Sequence, residues 1–137
     1  MSTEPRLLAI LLILLGLSGT GCGPAGAGFN ERGVEYGKRG QYEQALEWFD
    51  KAIQLNPKVS DYFMNQGIAY YALKQHQRAI VDLEQAINLD PANALAYMNR
   101  GNVYDDLGEQ DRAIEDYGHA ILLNPNHPKP YRNRGVT

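Results

Sequence analysis

One interval governs this chain: residues of the same type recur every 34 positions. Pro57, Pro91 and Pro125 keep that spacing, as do Gly33, Gly67, Gly101 and Gly135. Tyr36, Tyr70 and Tyr104 share it, as do Ala45, Ala79 and Ala113, and Ala52, Ala86 and Ala120. A repeat of this length restricts the fold to stacked copies of one supersecondary unit, before any propensity argument is made.

Within each period, apolar residues return at steps of three and four, the spacing of an amphipathic helix. Ala45-Leu46, Phe49 and Ala52-Ile53 show it, and so do Ala79-Ile80, Leu83 and Ala86-Ile87, and Ala113-Ile114, Tyr117 and Ala120-Ile121. A break at Gly40, Lys74 and Gly108 divides each unit into two helices. The first helices are predicted from Phe29, Ser60 and Asn93 to that break, and the second from Tyr42, Gln77 and Asp111 to Leu55, Leu89 and Leu123. Gly40 and Gly108 suit a left-handed helix end. The prolines stop the second helices because the ring lacks an N–H and clashes with the preceding turn. Asn56, Asp90 and Asn124, each before a proline, are held out of helical geometry and can cap the next turn.

Gly33, Gly67 and Gly101 fall inside helices, where glycine costs about 1 kcal/mol relative to alanine. Close approach of the two helices at Ala45, Ala79 and Ala113 is the expected compensation, with Phe49, Leu83 and Tyr117 filling the surrounding space. One hairpin cannot cover both of its faces, so neighbours must stack into a continuous core.

These positions together resemble the tetratricopeptide repeat. The pattern comprises an aromatic at Phe29, Phe63 or Tyr97, the glycine and tyrosine of the first helix, the two alanines of the second, and the proline. It runs from Gly26 to Gly135. The resemblance implies an all-α solenoid, a right-handed superhelix with a concave groove lined by the first helices. Three full repeats (26–59, 60–93 and 94–127) and a partial fourth or capping helix (128–137) are expected.

Ahead of the repeats, Leu7 to Leu17 reads LLAILLILLGL, without a charge. A membrane-spanning helix needs about 20 apolar residues, so this run has signal-peptide length, with Arg6 as its positive flank and Glu4 opposing it. Ser18-Gly19-Thr20-Gly21 precede Cys22, the one cysteine of the chain. The stretch resembles the lipobox of bacterial lipoproteins, although Gly19 stands where leucine is usual. That likeness implies a signal peptide at 1–21, lipidation of Cys22 and a short tether at 22–28. It also implies an exported, membrane-anchored protein of the bacterial envelope. Gly23 after the cysteine would favour the periplasmic face of the outer membrane in a Gram-negative host. The competing reading is an ordinary cleaved secretory signal with Cys22 incidental.

Net charge is −3 with no basic cluster, which argues against nucleic acid as a partner. Ten charged residues of the second helices (Glu43, Glu47, Asp50, Lys51, Arg78, Asp82, Glu84, Arg112, Glu115 and Asp116) read as a solvated convex face. No metal site is expected, because His76, His119 and His127 lack ligand spacing. Glu115 and Asp116, or Asp105 and Asp106, adjoin in sequence and so do not face each other on a helix. No catalytic set, cofactor or small-molecule substrate is expected.

Binding of a protein or peptide is the expected chemistry. First-helix residues directed away from the glycine–tyrosine face would line the groove: Asn30 and Val34, then Met64, Ile68 and Tyr71, then Leu95, Met98 and Asn102, with Lys129 and Arg132 continuing the row. The methionines suit an adaptable surface, and packing between neighbouring helices is their alternative role. Some members of the resembled family hold a peptide carboxylate with lysine, asparagine and arginine on successive first helices. Of the corresponding Asn30, Val34, Asn65, Leu95 and Asn99, only Asn65 fits, so that mode is not expected; one repeat further on, Asn99 and Lys129 fit but Met64, Ile68 and Asn133 do not. The recurrence of Asn65, Asn99 and Asn133 is explained as well by a structural bond between repeats. The function expected is a scaffold or adaptor without enzymatic activity, of use in assembling envelope machinery. The alternative is a remnant of a longer repeat protein with no independent function.

Overall fold

The computed structural model describes residues 23–126. The expected leader, Cys22, Lys129, Arg132 and the fourth repeat lie outside them. The described residues form six helices and no strand: α1 (Ala27–Lys38), α2 (Tyr42–Leu55), α3 (Ser60–Ala72), α4 (His76–Leu89), α5 (Ala94–Asp106) and α6 (Gln110–Leu123). They pair as three hairpins, α1/α2, α3/α4 and α5/α6, and each hairpin packs on the next. The helix pairs and their 34-residue register match the sequence expectation.

The turns explain the period. Gly40 (φ 76°), Lys74 (φ 63°) and Gly108 (φ 78°) occupy one register position and all adopt left-handed backbone. Each first helix thereby closes after its last turn, and a few residues later the second begins antiparallel to it. The second helices end at Leu55, Leu89 and Leu123, as the prolines require. In the linkers, Asn56 Oδ1 accepts from the Lys58 N–H at 3.1 Å and Asp90 Oδ1 from the Ala92 N–H at 3.0 Å. These bonds shape the linker, and the N-cap of α5 is a different residue: Asn93 Oδ1 accepts from the Ala96 N–H at 3.1 Å.

The mid-helix glycines make room for rings and leucine. A β-carbon at Gly101 would lie 2.7 Å from Tyr117 Cε1, one at Gly67 would lie 2.9 Å from Leu83 Cγ, and one at Gly33 would enter the Phe49 ring. The backbone carbonyls of Ala79 and Ala113 are near, at 3.2 and 3.3 Å, but the side chain a turn further on is the tighter neighbour. Ala45, Ala52, Ala79 and Ala86 are wholly buried, and of these Ala52 packs instead against Gly26 at the start of α1.

Among the described residues the core consists of two buried clusters, each of which spans a hairpin boundary: Ala45 and Phe49 of α2 join Ala69 of α3 in the first, and the second is larger. Met64, Leu83, Ala96, Val103, Tyr104 and Tyr117, drawn from α3 to α6, belong to one buried cluster. The first helices also touch in series, α1 to α3 and α3 to α5, whereas the second helices scarcely meet. Rows in closer contact lie on the inside of a curved stack, so α1, α3 and α5 line its concave side.

Candidate functional site

Three polar contacts join first helices or close the inner wall. Asn65 Nδ2 donates to Asn30 Oδ1 at 2.9 Å, from α3 to α1. The Tyr71 hydroxyl donates to Asp106 Oδ2 at 2.8 Å, from α3 to α5. Burial and the Asp106 bond both raise the Tyr71 pKa, so this phenol stays a donor at physiological pH. Within the third hairpin, the Tyr117 hydroxyl donates to Asn102 Oδ1 at 2.8 Å.

Between α1 and α3 lies a cleft of about 250 Å³. Val34, Tyr42, Phe49, Ile68 and Ala69 give it apolar walls, while Lys38 and Asn65 stand at its rim. Apolar walls with a few convergent polar groups are what a side-chain-sized binding site requires. Here Asn65 already holds Asn30, which leaves the exposed Lys38 ammonium, 3.4 Å from exposed Glu35, as the charged group beside the cleft.

The structure thus brings together Asn30, Val34 and Ile68 of the sequence-derived groove, with Tyr71 tied to α5 further along. Leu95 is exposed at 41%. Asn102 is partly buried and turned to Tyr117. Met64 and Met98 are corrections: each is only 7% exposed. Met64 shares a buried cluster with Ala96 and Val103 of α5, because α3 and α5 close over it and a flexible thioether fills the seam. Neither methionine offers an anchor to a partner. The structural bond between repeats that is one of two explanations for the recurrent asparagines is made by Asn65 and not by Asn99. Asn65 reaches Asn30, but Asn99 Nδ2 donates to the carbonyl of Leu95 in its own helix at 2.7 Å, since the residue one period after Asn30 is Met64.

Two residues of the supposedly solvated convex face are likewise corrected. Asp116 is 2% exposed and receives Arg100 through both oxygens, Nε to Oδ2 and Nη2 to Oδ1, each at 2.8 Å. That bond is the main reason the Arg100 pKa is raised. Asp82, one period earlier, faces Gln66 where Arg100 would stand, and Gln66 donates instead to Asp50 at 2.6 Å. Asp82 Oδ2 is buried without a hydrogen-bond partner. Burial, and then the charge of Asp50, push this carboxyl up to about 7. The signal for both was present in sequence as a recurring 16-residue offset, Arg32/Trp48, Gln66/Asp82 and Arg100/Asp116, but it becomes meaningful only once the offset is known to juxtapose side chains.

Among the described residues no group of three or more His, Cys, Asp or Glu is placed to hold a metal, and no helix is long and apolar enough to cross a membrane.

Comparison with known proteins agrees with this architecture. A family model described as tetratricopeptide repeat matches residues 27–59 and 94–127, and one described as TPR repeat matches residues 67–108. An uncharacterized protein of Methanocaldococcus jannaschii is 47% identical over 38 residues, 28% of this chain and 44% of that protein, so the match spans less than half of the relative's length. Among solved structures, the Arabidopsis OM64 TPR domain aligns with a TM-score of 0.79 at 28% identity, covering 82% of this chain and 93% of that one. The first TPR of Spaghetti (RPAP3), bound to the HSP90 peptide SRMEEVD, aligns at 0.77 and 26% identity, covering 82% and 90%. MamA aligns at 0.75 and 29% identity, covering 88% and 69%.

Proposed function

This chain belongs to the tetratricopeptide repeat family, and on that premise we propose that it is a non-catalytic adaptor that seats a segment of a protein partner on its concave side. The observation that carries this reading is the apolar cleft between α1 and α3, walled by Val34, Ile68 and Phe49 with Lys38 at its rim. A solved relative of the same fold, the first TPR of Spaghetti, has a peptide bound. An apolar side chain of the partner would fill the cleft, and an acidic group beside it would meet Lys38. A photo-crosslinking amino acid at Val34 or Ile68 should yield a discrete adduct in cells, and one at Glu47 on the outer side should not. Equal yields from both sides, or none from either, would overturn the proposal.

We further propose that the adaptor is held at the bacterial envelope by lipid on Cys22. The support is the uncharged run Leu7–Leu17 followed by small residues and the one cysteine. Labelled palmitate should enter the protein and be lost in Cys22→Ser; label retained in that variant would refute the anchor.

A further inference from the structure

Each inner hairpin turns one flank toward the hairpin before it. In the second hairpin that flank carries Gln66, bonded to Asp50 of the first, and Asp82, which senses the charge of Asp50. It also carries Tyr62, whose hydroxyl donates to the carbonyl of Ala25 at 3.0 Å. Thirty-four residues earlier, the same flank of the first hairpin carries Arg32, Trp48 and Gly28. No described hairpin covers it, and its chemistry differs from the inner copies. Where they place an amide or arginine against a carboxylate, the first hairpin places a cation against an indole.

Trp48 is the one tryptophan of the chain. The Arg32 guanidinium lies 5.1 Å from its ring centroid and Lys51 Nζ lies 4.3 Å away. Phe29 and Tyr36 pack beside it at centroid distances of 5.8 and 6.4 Å. Leu55, 57% exposed, joins Phe29, Arg32 and Trp48 around an open depression of about 440 Å³. Aromatic rings with an apolar body, beside long cationic side chains, are the chemistry of a membrane interface. The rings settle at headgroup depth and the cations meet anionic phosphates.

Position in the chain agrees. Helix α1 begins at Ala27, five residues after Cys22, the attachment point of the proposed anchor. Five residues span at most about 18 Å even when fully extended, so a chain held at a bilayer through Cys22 keeps its first hairpin close to the headgroups. Glu31, Glu35, Glu43, Glu47 and Asp50 also belong to the first hairpin. The attraction is therefore local to the Arg32–Lys51 flank and fades beyond a Debye length.

We propose that this outer flank of the first hairpin is a docking surface for an anionic phospholipid headgroup layer. The inference rests on the envelope anchor proposed above. Trp48 and Phe29 enter the interface, Arg32 and Lys51 pair with phosphates, and the adaptor is thereby held in one orientation against the bilayer.

The lone tryptophan supplies the test, because its emission reports this flank alone. The protein, expressed from its full-length sequence, is reconstituted into vesicles containing brominated lipid, either phosphatidylcholine alone or phosphatidylcholine with phosphatidylglycerol. We expect flotation with both vesicles, and Trp48 quenching at least about twofold stronger in the anionic ones, weakening as salt is raised. The Arg32→Glu/Lys51→Glu variant should float but lose that difference, with its helical circular dichroism unchanged. If the variant misfolds, the salt series on the unaltered protein decides instead, and quenching that salt leaves unchanged overturns the proposal. Flotation without quenching overturns the flank proposal and leaves the lipid anchor standing. Failure to float overturns the anchor, and this proposal with it. A blue shift that grows with protein concentration in lipid-free buffer assigns the flank to a second copy and overturns the proposal.

Discussion

Asp82 and Asp116 show how one residue's partner decides its chemistry. Both sit at the same register position, yet Asp116 is held by a bidentate guanidinium while Asp82 has a buried, unpartnered oxygen. A buried carboxylate without a partner is destabilising in its charged form. Its folded pKa, about 7, lies above the ordinary 3.8. The folded state therefore keeps a proton that the unfolded state releases, so this residue's contribution to stability improves as pH falls from 8 through 7 toward 4. Asp82→Asn should stabilise the protein at pH 8 by on the order of 1–2 kcal/mol and lose most of that advantage at pH 5, as read by urea denaturation at both values. A pH-independent difference would contradict the assignment. Gln66→Arg, which recreates the Arg100–Asp116 pairing one period earlier, should also raise the midpoint at pH 8. Neither carboxylate's environment could be read from its own helix: a charged residue on an amphipathic helix reads as solvated until the 16-residue offset is known to set another residue against it.

At the scale of the helix and its turn, sequence was a good guide because two strong local signals coincide, proline after each second helix and a left-handed break after each first. Helix ends at Leu55, Leu89 and Leu123 follow from those signals. Lys74 is the departure, a side chain placed in left-handed backbone where Gly40 and Gly108 sit in the other units. That conformation costs an L-residue with a β-carbon about 1 kcal/mol. Lys74→Gly should therefore stabilise the second hairpin by roughly 0.5–1 kcal/mol in thermal denaturation. The reverse holds inside α5. Gly101→Ala pushes a methyl into the Tyr117 ring at 2.7 Å, and the loss should reach about 2–3 kcal/mol despite alanine's better helix propensity. A neutral or stabilising result would mean that the ring moves aside freely.

For the molecule as a stack, Ile80 and Ile114 act as an internal control. They lie one period apart, and Ile80 is 9% exposed under the following hairpin whereas Ile114 is 42% exposed. Burial in a solenoid comes from neighbours on both sides, so the middle unit has the most to lose on opening. Amide exchange should be slowest in α3 and α4 and faster, by about tenfold or more, in α1 and α6. Uniform protection across all six helices would indicate a single cooperative block. The stacking itself was legible from the 34-residue period. Which first-helix residues stay exposed was not, because Met64 is covered by a helix one period away whose approach no local pattern encodes.

The hydrogen bonds Asn65–Asn30 and Tyr71–Asp106 both bridge adjacent first helices. They set the pitch of the coil from within, much as short stays hold an arch. A guest that exchanged either one for a bond of its own would let the neighbouring units hinge apart, so occupancy of the inner wall should register as a change in radius of gyration, even though the helical content stays constant.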